Sequence, residues 1–222
     1  MPRKPEQKKI IKKNILITAG PTIEPIDPVR YLTNRSSGTM GYKIAEKMIA
    51  AGHEVCIISG PVSVSPPSGA EIISVETADE MNKEVIGRID ACDCIIMAAA
   101  VCDFRPARKE NRKIKELGKY TLEMVRNPDI LKGVRDRNII KIGFALETDD
   151  PIKNGKKKLA EKELDAIIVN SKTDKNDPFG KAEVKREYIL IKPGDDVRTI
   201  KDVTKDEMAE MIKKEVEKML WV

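Results

Sequence analysis

The sequence predicts a doubly wound α/β fold with a mainly parallel sheet, and three observations carry that prediction. Short β-branched runs alternate with stretches of helical period at the spacing of βαβ units. The run CDCIIMAAAV, residues 92 to 101, is apolar almost without a break, as a strand covered on both faces must be. The first strand-like run stops at Ala19-Gly20-Pro21, the kind of break after which such sheets place a ligand-holding loop.

Taken in order, residues 1 to 13 (MPRKPEQKKIIKK) are basic, contain proline and lack the apolar centre of a signal peptide, so they read as a flexible tail. A single domain is expected over residues 14 to 222. It opens with NILIT, 14 to 18, as a central parallel strand, followed by an unusually polar loop holding Glu24, Asp27, Arg30, Asn34 and Arg35. A helix is expected from Ser36-Ser37-Gly38 under a serine cap to Ala51, with Met40, Ile44, Met48 and Ile49 inward and Gly52 as its stop. Residues 54 to 59 and 71 to 75 read as strands, 78 to 88 as a helix and 92 to 101 as a strand. Residues 104 to 120 are charged and long for a connection, which predicts a mobile flap.

Beyond the flap, 121 to 125 suggests a short strand and NPDILKGVRD a proline-started helix. KIGFAL, 141 to 146, is another buried strand. A lysine-rich helix from about Pro151 to Leu164 leads into the strand DAIIVN, 165 to 170. After the loop SKTDKNDPFGK comes the alternating VKREYILIK, where residues 172 to 194 are a candidate dimerisation extension and 183 to 191 a candidate pairing surface. A terminal amphipathic helix carries Met208, Met211, Ile212, Val216, Met219 and Leu220 as its apolar stripe. The whole is a Rossmann-like arrangement.

Composition narrows the function classes. The chain has 222 residues, 41 Lys plus Arg against 36 Asp plus Glu, and a net charge of +5, too mixed to imply nucleic acid and equally suited to a small anionic substrate. No run approaches the roughly 18 apolar residues needed to span a bilayer, so a cytoplasmic protein is expected. Cys56, Cys92, Cys94 and Cys102 lie in or beside apolar runs without CxxC spacing, which favours structural thiols over disulfides or zinc. The single histidine, His53, falls in the turn AGHEV and reads as a surface residue. Histidine-based catalysis or metal binding therefore has little material.

A glycine turn followed by a capped helix start favours an anion, because free N–H groups point out of the helix N-terminus. Many α/β proteins have such a turn and bind nothing there. The longer string is more specific. Thr18, Gly20, Thr22, Glu24, Pro25, Asp27, Val29, Arg30, Asn34, Ser36, Ser37, Gly38, Met40 and Gly41 match the pattern TxGxTxEPxDxVRxxxNxSSGxMG, and the segment closely resembles that of phosphopantothenate-cysteine ligases of coenzyme A biosynthesis. Further blocks agree. Ala99 and Asp103 match nucleotide-contacting positions in AAVxDxRP, and Lys113 in KIK matches an active-site lysine. Asn127, Pro128, Asp129 and Ile130 match NPDI at the nucleotide site. Phe144 matches another nucleotide contact, and Lys158 with Lys162 match phosphate-contacting lysines that could share one helix face. The resemblance spans roughly residues 14 to 192.

It implies that a carboxylate, a poor electrophile, is activated by attacking the α-phosphorus of a nucleoside triphosphate. Pyrophosphate leaves, and the amine of L-cysteine then attacks the acyl-nucleotide made from 4'-phosphopantothenate. CTP is the expected nucleotide, with ATP the alternative, and Mg²⁺ the expected companion, its protein ligands not identifiable. Such chemistry needs positioning and charge neutralisation more than proton transfer. Lys113 is expected at the α-phosphoryl charge, Asn34 at the acyl group, and Arg30 either orienting Asn34 or binding substrate phosphate. Gly20, Ser36, Ser37, Gly38 and Gly41 would shape the phosphate cradle. The resemblance also implies a homodimer and a flavin-dependent phosphopantothenoylcysteine decarboxylase as a separate or fused partner.

Two rivals remain at this stage. An NAD(P)-dependent reductase would share the fold class, but GxGxxG is missing after the first strand. The Tyr188–Lys192 pair that mimics YxxxK lies in an alternating, strand-like run. A nucleic-acid-binding module would account for the lysines but leaves the NRSSGTMG and AAAVCDF blocks without purpose and has few aromatic residues for stacking.

Overall fold

The computed structural model describes residues 11–115, 118–171, 179 and 181–221. In chain order the first elements are β1 (Asn14–Ala19), β2 (Ile23–Pro25), β3 (Tyr31–Thr33), α1 (Thr39–Ala50), β4 (Glu54–Ser59) and β5 (Glu71–Ser74). Then come α2 (Ala78–Arg88), β6 (Cys94–Met97), β7 (Phe104–Pro106), β8 (Met124–Arg126) and α3 (Ile130–Gly133). The chain continues through β9 (Ile140–Glu147), α4 (Pro151–Glu161), β10 (Ala166–Ser171), β11 (Arg186–Lys192), β12 (Asp196–Val203) and α5 (Lys205–Leu220).

Eight strands form one sheet in the order β12-β11-β10-β9-β6-β1-β4-β5. From β5 to β10 the pairing is parallel, and β11 and β12 add an antiparallel hairpin outside β10. The chain runs outward from β1 through β4 and β5, then crosses back to β6 on the other side. That reversal between β1 and β6 is the switch point where open α/β sheets bind ligands.

β1 shows why the sheet is central. Ile15, Ile17 and Ala19 enter the core beneath α1 and α5, while Leu16 enters the core beneath α2, α3 and α4. Strand alternation therefore buries both faces, and each isoleucine or leucine taken out of water contributes about 1.5–3 kcal/mol. α2 starts on a capping box between Thr77 and Glu80, and α5 on another between Thr204 and Glu207.

Several sequence expectations need correction. β6 ends at Met97, not at residue 101, because the Ala98 N–H turns back onto the carbonyls of Ile96 and Thr18. The polar loop after β1 contains the hairpin β2–β3, and the flap begins with β7 paired to β8. The NPDI helix is one turn long, and an unpredicted strand, β12, follows β11. β11 has both edges paired within the chain, to β10 and β12, so it is not an open pairing surface; the loop at 172–178 lies outside the described residues. His53 is not a surface residue: its imidazole is 1% exposed, 3.8 Å from Glu217 of α5, and neither ring nitrogen has a hydrogen-bond partner among the described residues.

The four cysteines are free thiols, Cys94 and Cys102 buried and the other two half-buried. Among the described residues no helix is long and apolar enough to cross a membrane.

Candidate active site

The loops leaving β1 and β6 are stitched together at the switch point. Ala100 donates its N–H to the Gly20 carbonyl at 2.8 Å, and Thr22 donates to the Ala100 carbonyl at 3.4 Å. Thr18 Oγ1 accepts from Ala99 N at 3.2 Å, and Thr22 Oγ1 from Cys102 N at 2.9 Å. Small residues permit this approach. Gly20 and Gly38 both adopt left-handed backbone, φ 75° and 74°, and a Cβ on Gly38 would lie 2.7 Å from Val62 and 3.3 Å from Gly20 N.

Gly38 is also the residue that starts α1, with no side-chain cap, which corrects the expected serine cap. A serine cap needs extended backbone and a reach to the second or third helical N–H. Here Ser36 Oγ accepts from Gly38 N at 3.3 Å, and Ser37 Oγ lies 2.8 Å from Thr39 Oγ1. Thr39 N, the first of the helix, donates to Ser37 Oγ at 3.5 Å, but the cap residue Gly38 offers no side chain to the first turn of this twelve-residue helix, and two serine hydroxyls stand beside it. Gly41 lets α1 press onto β1, since a Cβ there would sit 2.8 Å from Ala19 Cβ.

Asn34 is exposed, and its amide nitrogen donates to the carbonyls of Ala100 at 3.3 Å and Val101 at 3.0 Å. Both partners are acceptors, so the amide orientation is fixed and its oxygen remains as the acceptor. Among the described residues Arg30 makes no hydrogen bond to Asn34. Its guanidinium pairs with the buried Asp27 carboxylate and donates to the Ile114 carbonyl at 2.9 Å, while Asp27 accepts from Ile114 N at 3.1 Å. Lys113, the preceding residue, is exposed. The described part of the expected flap is thus fastened to the β2–β3 hairpin, and Arg30 is one of the fasteners.

A second wall forms around Asp103 and the NPDI block. Asn127 donates its backbone N–H to the Asp103 carbonyl and its side-chain amide to the Cys102 carbonyl, both at 2.9 Å, while Arg105 donates to Asn127 Oδ1 at 2.9 Å. Pro128 leads to Asp129, which caps α3 through Lys132 N at 3.2 Å, and the side chain of Ile130 is buried. Phe144 follows Gly143, the β9 residue opposite Met97, and so lies just past the end of β6. Lys158 reaches Glu147 at 2.6 Å, whereas Lys162, just past the end of α4, reaches Asp129 at 3.1 Å. The two lysines serve different carboxylates, one at the end of β9 and one in the NPDI block.

These contacts collect Gly20, Asn34, Ser36, Ser37, Gly38, Ala99, Asp103 and Asn127 around the β1–β6 switch. Residues 10–220 match the family described as the DNA/pantothenate metabolism flavoprotein C-terminal domain. The chain belongs to this family. It is 45% identical over 186 residues to the coenzyme A biosynthesis bifunctional protein CoaBC of Bacillus subtilis (strain 168), an alignment covering 82% of this chain and 46% of that protein. The chain thus spans about half the length of the curated relatives it matches. A crystal structure of the C-terminal domain of a CoaBC protein superposes with a TM-score of 0.80 at 36% identity, covering 96% of this chain and 98% of that one. The DNA/pantothenate metabolism flavoprotein from Streptococcus pneumoniae gives 0.80 at 25% identity, over 93% and 99%.

Within this flavoprotein C-terminal domain two charged residues were given no role by sequence reasoning. Asp27 is one; its partners lie up to 87 residues away and leave no local signal. Glu24 is the other. It is 2% exposed, accepts from Ala78 N at the start of α2 at 3.0 Å, and has its pKa raised by burial against the opposing pull of Asn127, Thr22 and Arg105. This buried carboxylate ties β2 to the start of α2. Among the described residues no cluster of three or more His, Cys, Asp or Glu could hold a metal.

Proposed function

We propose that this domain ligates 4'-phosphopantothenate to L-cysteine at the expense of a nucleoside triphosphate, a step of coenzyme A biosynthesis. The observations that most support this reading are the glycine-started α1 and the anchored Asn34 at the switch point, with the Lys113 segment fastened to the neighbouring β2–β3 hairpin. Family membership and the bifunctional coenzyme A relatives support the same reading.

In this reading the substrate carboxylate attacks the α-phosphorus and expels pyrophosphate, giving an acyl-nucleotide. The amine of cysteine attacks the acyl carbon, loses a proton and expels the nucleoside monophosphate. The first turn of α1 and the hydroxyls of Ser36 and Ser37 receive phosphate oxygens, and Lys113 offsets charge at the α-phosphoryl group. Asn34, with both amide hydrogens engaged, presents its carbonyl oxygen, which suits the incoming amine. Asp103, Asn127 and Phe144 lie on the side expected to take the base and sugar, with CTP preferred over ATP. Lys158 and Lys162 meet the outer phosphates.

The residues present suit Mg²⁺ only in the mode where one or two carboxylates assist a metal carried by the triphosphate; Asp103 is an exposed carboxylate on the loop after β6, and the metal would supply charge neutralisation there. A homodimer and a fused or separate flavin-dependent decarboxylase complete the proposal.

The test is pyrophosphate release from each of the four triphosphates with 4'-phosphopantothenate, with and without cysteine. Release that depends on the pantothenate substrate and is greatest with CTP is expected. No substrate-dependent release with any nucleotide defeats the reading.

A further inference from the structure

Asp27 makes more hydrogen bonds than its turn requires. It sits between β2 and β3 with a fully buried carboxylate. Oδ1 accepts from Val29 N at 2.8 Å and Arg30 N at 2.9 Å, which is the usual work of an aspartate in a tight turn. Oδ2 takes no part in the turn. It accepts from Arg30 Nε at 3.0 Å, Arg30 Nη2 at 2.5 Å and Ile114 N at 3.1 Å. Arg30 Nη2 also donates to the Ile114 carbonyl at 2.9 Å, so the carboxylate and guanidinium together grip both backbone groups of Ile114.

We propose that Asp27 is a positioning residue for Lys113, holding it toward the reacting phosphoryl group through Arg30 and the backbone of Ile114. The Ile114 N–H belongs to the peptide bond that Lys113 itself begins, so the grip fixes the backbone at the lysine. Glu110 N donates to the Ile26 carbonyl at 2.9 Å, a second fastening that leaves only three residues between the two. The hairpin that carries the clamp is tied to the body through Ile23 N to the Glu76 carbonyl and Thr33 Oγ1 to the Thr22 carbonyl, both at 2.7 Å. An unbroken chain of bonds therefore links the Lys113 segment to the loop after β1. Arg30 and the surrounding N–H donors hold the carboxyl of Asp27 well below the usual carboxylate range, so the clamp stays ionised at any pH where the domain would work.

The inference rests on the ligase reading for the role of Lys113, and asparagine separates the two. Asp27→Asn keeps Oδ1 for the turn but places an NH₂ donor against the Arg30 and Ile114 donors, which opens the clamp alone. In the full chain, amide hydrogen exchange over residues 110–115 should rise about tenfold in Asp27→Asn while the sheet stays protected. Turnover in pyrophosphate release should fall at least about tenfold, and Lys113→Gln about a hundredfold. The double variant should match Lys113→Gln within about twofold, because the two act through one group.

Arg30→Lys is the second variant should Asp27→Asn fail to fold, and it should show the same pattern more weakly. Unchanged exchange in a folded variant overturns the clamp. Losses that multiply in the double variant overturn the positioning role. If wild type releases no pyrophosphate while exchange rises as expected, the ligase reading fails and the positioning role falls with it.

Discussion

The same substitution, glycine to alanine, should have opposite effects in α1 and α2. Gly41 and Gly87 are both helical and neither has left-handed backbone, so alanine is allowed at each and gains up to about 1 kcal/mol of helix propensity. At Gly87 a Cβ meets nothing within 4 Å, and the gain should appear undiminished as roughly 0.5–1 kcal/mol. At Gly41 it would sit 2.8 Å from Ala19 Cβ and 3.2 Å from the Thr18 carbonyl, both on the central strand. Carbon atoms prefer about 3.5–4.0 Å, so α1 must retreat by roughly 1 Å.

Overpacking of that kind costs about 1–3 kcal/mol, and the rigidity of β1 places Gly41→Ala toward the upper end, a net loss of roughly 2 kcal/mol. In a chain of this size that lowers Tm by roughly 4–8 °C, against a rise of about 1–4 °C for Gly87→Ala. A triphosphate at a hundred times its Kd should stabilise wild type by about 2.7 kcal/mol, and Gly41→Ala should lose most of that, because the retreating helix carries the first-turn N–H groups with it. Thermal unfolding by circular dichroism, with and without CTP and Mg²⁺, reads both effects. A Gly41→Ala protein as stable as wild type, or a Gly87→Ala protein destabilised to the same degree, would refute the contact argument.

Burial lowers the pKa of His53 below its ordinary 6.5, with the charges of Glu217 and Asp93 opposing and Lys213 assisting. The unfolded chain then binds the proton more readily, so stability should fall as pH drops below about 6.5. His53→Gln should flatten that slope between pH 7 and 5.5, and an identical slope would exclude the histidine as its source. Asn34→Asp sets a carboxylate oxygen against the carbonyls of Ala100 and Val101 on an exposed loop. Tm should move by only a few degrees while product formation falls about a hundredfold; near-normal turnover would remove Asn34 from the site.

β1, β4 and α2 were legible because each has a plain periodic signature, and their bounds fall within a residue of those expected. β2 and β3 were not: three residues are too few to show alternation, and Pro25 argues against a strand. β12 is the outer edge of the sheet, so DVRTIKDV carries charges where an inner strand would carry apolar residues. His53 looked like a turn residue because the packing of α5 over it, more than 150 positions later, is invisible locally. The glycines, serines and Asn34 of the site were readable as a string, but the string does not say that Arg30 pairs with Asp27 and the Ile114 carbonyl. That depends on Asp27, whose carboxylate is one polar letter in a polar loop.

The ion pairs of Lys158 and Lys162 have a thermodynamic consequence. Each ammonium already holds a carboxylate, Glu147 or Asp129, so if these lysines receive phosphate as proposed, they are internally neutralised beforehand. An entering anion must displace one of them, and binding there is an exchange of partners in place of a simple addition. The measured affinity then reports the difference between two ion pairs, and its dependence on salt should be shallower than the number of lysines suggests. Removing Glu147 or Asp129 would convert the exchange into an addition, tightening the hold on any phosphate and weakening the preference for one long enough to engage both lysines at once.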